Sequence, residues 1–307
     1  TSTSATGVEF VRTPDERFAD IAGYGYGPRY VDVDGLRMAY VDEGPADGPT
    51  VLLLHGEPTW GYLYRRMIPP LVNAGFRCIA PDLIGFGKSD KPAMPRDYTF
   101  ERHVDWTSDW LRQLGVSDIT MFCQDWGGLI GLRLVARFPD LFAAVIAGNT
   151  GLPTGGGSVT WPFRIWLAFS RFSPILPIGR LVSAGTTRGL SDGEKRAYDA
   201  PFPQAKYKAG ARRFPALVPV RDGQASVAEC KAAWKVLEQF DKPFMTAFST
   251  RDPITRGGER VFQARIPGAK DQPHVTIRTA GHFLQEDKPE ELVQAIDGVI
   301  SRQITKT

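Results

Sequence analysis

The sequence predicts an α/β fold, a mostly parallel eight-stranded sheet covered on both faces and interrupted by a helical insertion. Three observations carry this. Short apolar runs alternate with longer helix-like stretches along the chain. The later runs are nearly continuous in Val, Ile, Leu, Ala and Phe, as strands buried on both faces must be. One region, residues 152–222, holds no strand pattern and is rich in aromatic residues, Pro and Gly.

In chain order, the strands are expected at 30–33, 36–42, 51–55, 78–81, 119–124, 143–148, 244–249 and 274–278. The first two flank Asp34-Gly35 and read as an antiparallel hairpin. Helices are expected at 64–74, 100–114, 127–138, 229–240, 258–266 and 289–300. Inside the insertion, helical pieces fall at 159–172, 178–184, 192–200 and 204–214. This divides the chain into a main domain, 1–151 with 223–307, and a cap, 152–222. Gly155-Gly156-Gly157 and Gly185 are the hinge candidates.

The 307 residues give ample material for a core, and 42% hydrophobic with 23% charged residues is ordinary for a soluble globular protein. A net charge of +3, with basic residues scattered, argues against a dedicated nucleic-acid or membrane surface. Cys78, Cys123 and Cys230 are odd in number and far apart, so free buried thiols in a reducing compartment are expected. No apolar stretch reaches membrane-span length and no signal region opens the sequence, making cytoplasm the default. A monomer or weak oligomer is expected. No His, Cys or carboxylate cluster has metal-ligand spacing, and Gly127-Gly128-Leu129-Ile130-Gly131 fails the dinucleotide fingerprint, so neither metal nor cofactor is implied.

The most informative stretch is Ile119-Thr120-Met121-Phe122-Cys123-Gln124-Asp125-Trp126-Gly127-Gly128. It reads as strand, abrupt turn, then helix, with small residues where backbones must approach. Such a turn holds its central residue in a strained conformation and projects the side chain from the carboxyl end of the sheet. The usual centre is Ser within Gly-x-Ser-x-Gly; here it is Asp125, and Cys123 stands for the first Gly. A carboxylate is already ionised at neutral pH, so it needs no base to displace a leaving group from carbon. That chemistry suits alkyl halides and epoxides, not amides. The plain alternative for Asp125 is a helix N-cap. His55-Gly56-Glu57-Pro58 follows a strand, in the loop that supplies one backbone N–H of an oxyanion hole; the residue after the nucleophile supplies the other. Glu57 and Trp126 are therefore the expected donors, through their backbone.

Asp252, in Thr250-Arg251-Asp252-Pro253, and His282, in Ala280-Gly281-His282-Phe283, each follow a strand end, in the chain order nucleophile, acid, base. Of the four histidines, His103 and His274 sit in helix and strand patterns and His55 in the oxyanion loop, leaving His282 as base with Asp252 fixing its tautomer. A departing halide needs donors in an apolar setting, and facing indole N–H groups supply them. Trp126 is one; the other comes from the cap, where Trp161 and Trp166 are the choices.

These segments closely resemble the haloalkane dehalogenases, in the subfamily whose halide is held by two tryptophans. The resemblance runs from about residue 31 to 285 and includes His55-Gly56-Glu57-Pro58-Thr59-Trp60, Pro81-Asp82-Leu83-Ile84-Gly85-Phe86-Gly87, Gln124-Asp125-Trp126-Gly127-Gly128, Ala200-Pro201-Phe202-Pro203 and Gly281-His282-Phe283. It implies the α/β-hydrolase fold, Asp125 as nucleophile, Asp252 as acid, His282 as base, and Trp126 with Trp166 as halide donors. The implied substrate is a small apolar haloalkane, released as alcohol, halide and a proton. Glu57 and Asn149 depart from the second subfamily's pattern, which has Asn after His-Gly and a carboxylate after the next strand. Two competitors remain. An epoxide hydrolase would use the same elbow with two cap tyrosines, for which Tyr198 and Tyr207 are available. A catalytically silent receptor on this fold would have no need of all three of Asp125, Asp252 and His282.

Overall fold

The computed structural model describes residues 1–157 and 159–305. Eight strands form the main sheet: β1 (Arg29–Val33), β2 (Leu36–Glu43), β3 (Thr50–Leu54), β4 (Arg77–Pro81), β5 (Ile119–Gln124), β6 (Phe142–Gly148), β7 (Phe244–Ser249) and β8 (Val275–Ile277). Their spatial order is β8-β7-β6-β5-β3-β4-β2-β1. All neighbours from β8 to β4 run parallel, and β2 turns antiparallel to both β4 and β1. The apolar runs read from sequence are the buried centre: Val51 to Leu54 and Ile119 to Gln124 are all below the surface, as burial on both faces requires. The Asp34-Gly35 hairpin closes as expected, with positive φ at both residues.

Helices cover both faces. Phe100–Leu114 begins with Thr99 accepting the Arg102 N–H and ends at Gly115 in the left-handed region, a start and a stop both written in the sequence. The expected helix at 64–74 is shorter: a 3₁₀ turn, Gly61–Tyr64, precedes Ile68–Asn73, whose start is set by Pro69-Pro70. A small sheet of Ser2–Thr3, Glu9–Val11 and Lys91–Pro92, which no periodicity announces, ties the N-terminal segment to the loop after β4.

Between β6 and β7 the described chain runs through helices Trp161–Phe172, Ile178–Ala184, Asp192–Asp199, Ala209–Leu217 and Val227–Leu237. The piece expected at 204–214 splits into a 3₁₀ turn, Ala205–Lys208, and a helix that carries Pro215 within it. The two ends of this excursion meet, since the Gly155 N–H donates to the Pro219 carbonyl and a Cβ on Gly155 would lie 2.5 Å from Asp222 Oδ1. Gly185 is a packing position: any Cβ there would meet the Phe283 ring at 2.7 Å.

A buried ionic cluster fastens helix Asp192–Asp199 to the segments that carry Arg65 and Glu286. Arg65 pairs with Glu286 at 2.6 Å and Glu194 at 2.7 Å; Arg188 joins both acids, and the Tyr198 hydroxyl donates to Glu286. The Arg65 and Glu286 side chains are almost fully enclosed, so their charges depend on one another.

Candidate active site

β5 ends at Gln124, and Asp125 takes φ 52° and ψ −126°, a strained backbone for a residue with a side chain. The crowding that makes its neighbours small is severe. A Cβ on Gly56 would stand 2.4 Å from Asp125, one on Gly127 2.1 Å from the Leu54 carbonyl, and one on Gly128 2.0 Å from Thr150 Oγ1. Cys123, in the slot usually held by Gly, points into the core and is fully buried. The Asp125 backbone carbonyl accepts from Gly128, Leu129 and the Thr150 hydroxyl, yet its carboxylate caps nothing on the helix. Oδ1 instead accepts the Glu57 N–H at 2.8 Å, and Oδ2 lies 3.4 Å from His282 Nε2. The helix-cap alternative therefore fails.

His282 is carried by the loop after β8, and its Nδ1 donates to Asp252 Oδ2 at 3.0 Å. Asp252, on the loop after β7, is buried and also accepts the Ile254 N–H and the Thr255 hydroxyl. Burial works against the Asp252 carboxylate, but His282 and these donors outweigh it and hold it at about 2. Burial likewise opposes charge on His282, and the carboxylates of Asp252 and Asp125 outweigh it, raising it to about 10. The structure thus brings Asp125, Asp252, His282 and Glu57 together from four strand ends, at the carboxyl edge where β3 and β5 lead away in opposite senses.

Three positioning groups were not read from the sequence. Asn149 donates to the carbonyls of Gly281 and His282. Gln124 Nε2 sits 3.2 Å from both His282 Nε2 and the His282 carbonyl. Asp287 accepts the Gly281 N–H and, with the same carboxylate, the N–H groups of Thr187 and Arg188. All three fix the loop that carries His282, Asn149 and Gln124 from more than 100 residues away and Asp287 from six residues beyond Gly281.

A cavity of about 700 Å³ opens above this edge. Glu57, Asp125, Trp126 and His282 line its floor, and Phe163, Trp166 and Leu181 its roof. Trp126 is buried, with its ring 4.5 Å from that of Phe214 and 5.1 Å from that of Phe100. Of the two tryptophans on helix Trp161–Phe172, Trp166 lines the cavity, whereas Trp161 is 70% exposed. Neither Tyr198 nor Tyr207 lines it, and the Tyr198 hydroxyl is spent on Glu286. The pair that epoxide opening would require is not there. The remaining histidines are structural: His55 Nε2 accepts the Leu83 N–H, His103 is buried beside Phe214, and His274 Nδ1 accepts the Thr246 N–H. Among the described residues no group of His, Cys, Asp or Glu could hold a metal ion, and no helix is long and apolar enough to cross a membrane.

Comparison with known proteins agrees with this geometry. Residues 49–289 match the family described as the alpha/beta hydrolase fold. A haloalkane dehalogenase of Mycobacterium marinum is 51% identical over 294 residues, covering 94% of this chain and 99% of the relative. One from Psychrobacter cryohalolentis is 52% identical, over 94% and 97%. Among solved structures, the haloalkane dehalogenase DpaA from Paraglaciecola agarilytica, described as tetrameric, superposes with a TM-score of 0.88 at 34% identity, over 96% of this chain and 98% of that one. With half of all positions shared along nearly the whole length of both chains, this chain belongs to the haloalkane dehalogenases, hydrolases of the carbon–halogen bond built on the α/β-hydrolase fold.

Proposed function

We propose that Asp125 is the nucleophile, His282 the base and Asp252 the acid that orients it. In this reading Trp126 and Trp166 hold the halide, and the backbone N–H groups of Glu57 and Trp126 form the oxyanion hole. The observation that carries it is the division of the Asp125 carboxylate: Oδ1 is engaged by the Glu57 N–H, while Oδ2 faces His282 and the cavity. Oδ2 attacks the carbon bearing the halogen, the carbon–halogen bond breaks, and the halide leaves between the two indoles. The product is a neutral alkyl ester on Asp125.

That step also readies the base. Before it, the negative charge on Asp125 helps keep His282 protonated, with a pKa near 10. Esterification removes this charge, so imidazole basicity falls and the proton can leave. Neutral His282 then takes a proton from water as the water oxygen bonds to the Asp125 carboxyl carbon. Charge develops on Oδ1, which already faces the Glu57 N–H. Collapse releases the alcohol and restores the carboxylate. Single turnover in ¹⁸O-water tests this: the label must enter the Asp125 carboxylate and be missing from the first alcohol formed. Label in that alcohol would mean direct attack by water, and the ester route would fall.

The insertion, 152–222, acts in this reading as a cap on the main domain, 1–151 with 223–307, supplying the apolar roof for a small halogenated substrate. Hydrogen exchange should find it opening as one unit; exchange spread evenly across both parts would count against it. The three buried free cysteines support a reducing, cytoplasmic setting. For assembly, monomer or weak oligomer remains our reading. Any association would use the exposed ridge of Trp161, Ile165, Phe172 and Ile175, and sedimentation at rising concentration tests it.

A further inference from the structure

The Glu57 side chain has no part in the reaction as written, since only its backbone N–H is used. Yet its carboxyl is turned inward at the cavity wall, with only 5% of the residue exposed. Oε1 has no hydrogen-bond partner. No Lys or Arg pairs with Glu57 among the described residues, although Arg251 and Arg256 line the same cavity. The carboxylate of Asp125 would repel a second negative charge here. Asp125 is bonded to its own backbone, His282 beyond already balances Asp125 and Asp252, and burial holds His55 neutral, at about 4. Burial first, then Asp125, pushes the Glu57 pKa well above the usual carboxylate range, against a weaker opposing pull from His282 and the Trp166 indole N–H.

We propose that Glu57 works as a neutral carboxylic acid whose O–H is a further hydrogen-bond donor to the departing halide, beside the indoles of Trp126 and Trp166. This rests on the halide site proposed above. The logic is electrostatic. A carboxylate beside a departing anion would oppose cleavage, whereas a carboxylic acid donates to that anion and adds no charge. Halide and ionised Glu57 exclude one another, because halide takes up the Trp166 N–H and brings its own charge. By linkage, halide binding favours protonated Glu57, and loss of that proton expels halide.

Halide affinity must therefore fall as pH rises through the Glu57 titration. Loss of the His282 proton acts in the same direction, so the measurement belongs in a His282→Phe background. There, bromide binding followed by tryptophan fluorescence should weaken with rising pH. Adding Glu57→Gln, which stays neutral and still donates, should abolish the step while keeping affinity at low pH within a few fold. Glu57→Ala should lose about tenfold at low pH. Infrared spectroscopy should show the carbonyl stretch of a protonated acid at neutral pH, lost in Glu57→Gln and kept in Asp125→Asn. No such band, or a Glu57→Gln protein with an unchanged pH profile, overturns the proposal even if Glu57→Ala fails to fold. Should Trp126→Phe and Trp166→Phe leave bromide affinity intact, the halide site itself is wrong and this inference falls with it. If only the Glu57 variants are silent, the site stands without it.

Discussion

The floor and the roof of the cavity are built by different rules. Asp125, Asp252 and His282 on the floor each follow a strand end and are tied by hydrogen bonds. His282 is bracketed by Asp252 on its ring and by Asn149 and Gln124 on its backbone carbonyl, while Asp287 takes the preceding N–H. The roof has little of this. Trp166 is only partly buried and stacks on Phe169 at 6.2 Å, and its helix turns Trp161, Ile165 and Phe172 to the outside. Hydrogen bonds fix direction, and apolar packing fixes only volume. The floor is therefore specified to fractions of an ångström, as bond-making requires, while the roof can change shape with its side chains. Chemistry should be intolerant of change in the floor, and substrate range should be set by the roof.

The sharpest way to break this contrast lies in the floor. Because a carboxylate needs no base to attack carbon, His282→Phe should still release about one halide per site and then stop, with the alkyl group retained on Asp125. Steady turnover should fall by at least about 10⁴. Intact mass and peptide mapping check both statements. Asp125→Ala should release nothing. A His282 variant that folds and binds substrate yet gives no burst would mean that the base acts in the first step.

The next effect tests what joins floor to roof. Glu286 is fully enclosed and takes contacts from Arg65, Arg188 and Tyr198 at once. Glu286→Ala leaves Arg65 buried beside Glu194 alone and should cost about 3 kcal/mol in chemical unfolding. Because the cluster also borders the segment that follows His282, KM should rise more than kcat falls. A variant as stable as the parent would show that the roof is held by apolar contact alone.

Trp166→Phe is a smaller change, keeping the ring and removing one N–H. Carbon–halogen cleavage should slow by on the order of 10², less if Glu57 and Trp126 compensate. Bromide affinity should weaken in parallel, with unfolding unchanged. Slowed cleavage at full bromide affinity would mean that Trp166 shapes substrate and does not hold halide.

The same contrast governs what the sequence could disclose. The eight strands were readable to within a residue or two, because burial on both faces writes continuous apolar runs. Asp125, Asp252 and His282 could be picked out because Asp125 directly follows a strand and the other two lie three and five residues past strand ends, where direction is set by the sheet. Asn149, Gln124 and Asp287 were not, since two of them reach the His282 loop across more than 100 residues and Asp287 acts through backbone N–H groups on two separate loops. The two- and three-residue strands at Ser2–Thr3, Glu9–Val11 and Lys91–Pro92 are too short to carry a period and exist only by pairing. On helix Trp161–Phe172, helical spacing allowed both Trp161 and Trp166, and only the packing of that helix on the cavity separates them.

That separation yields the smallest expected effect. On helix Trp161–Phe172, Trp166 turns toward the cavity, and Trp161, five residues earlier at the helix start, turns to the outer side. An exposed side chain with no buried partner adds little to folding, so Trp161→Ser should shift stability by no more than about 0.5 kcal/mol. Its kcat, KM and bromide affinity should match the parent. What should change is self-association at high protein concentration, since a large ring leaves an exposed apolar ridge. Sedimentation and steady-state kinetics on one preparation read both. Loss of halide affinity in Trp161→Ser, with Trp166→Phe unaffected, would reverse the helix face assigned to the cavity and with it the roof half of the halide site.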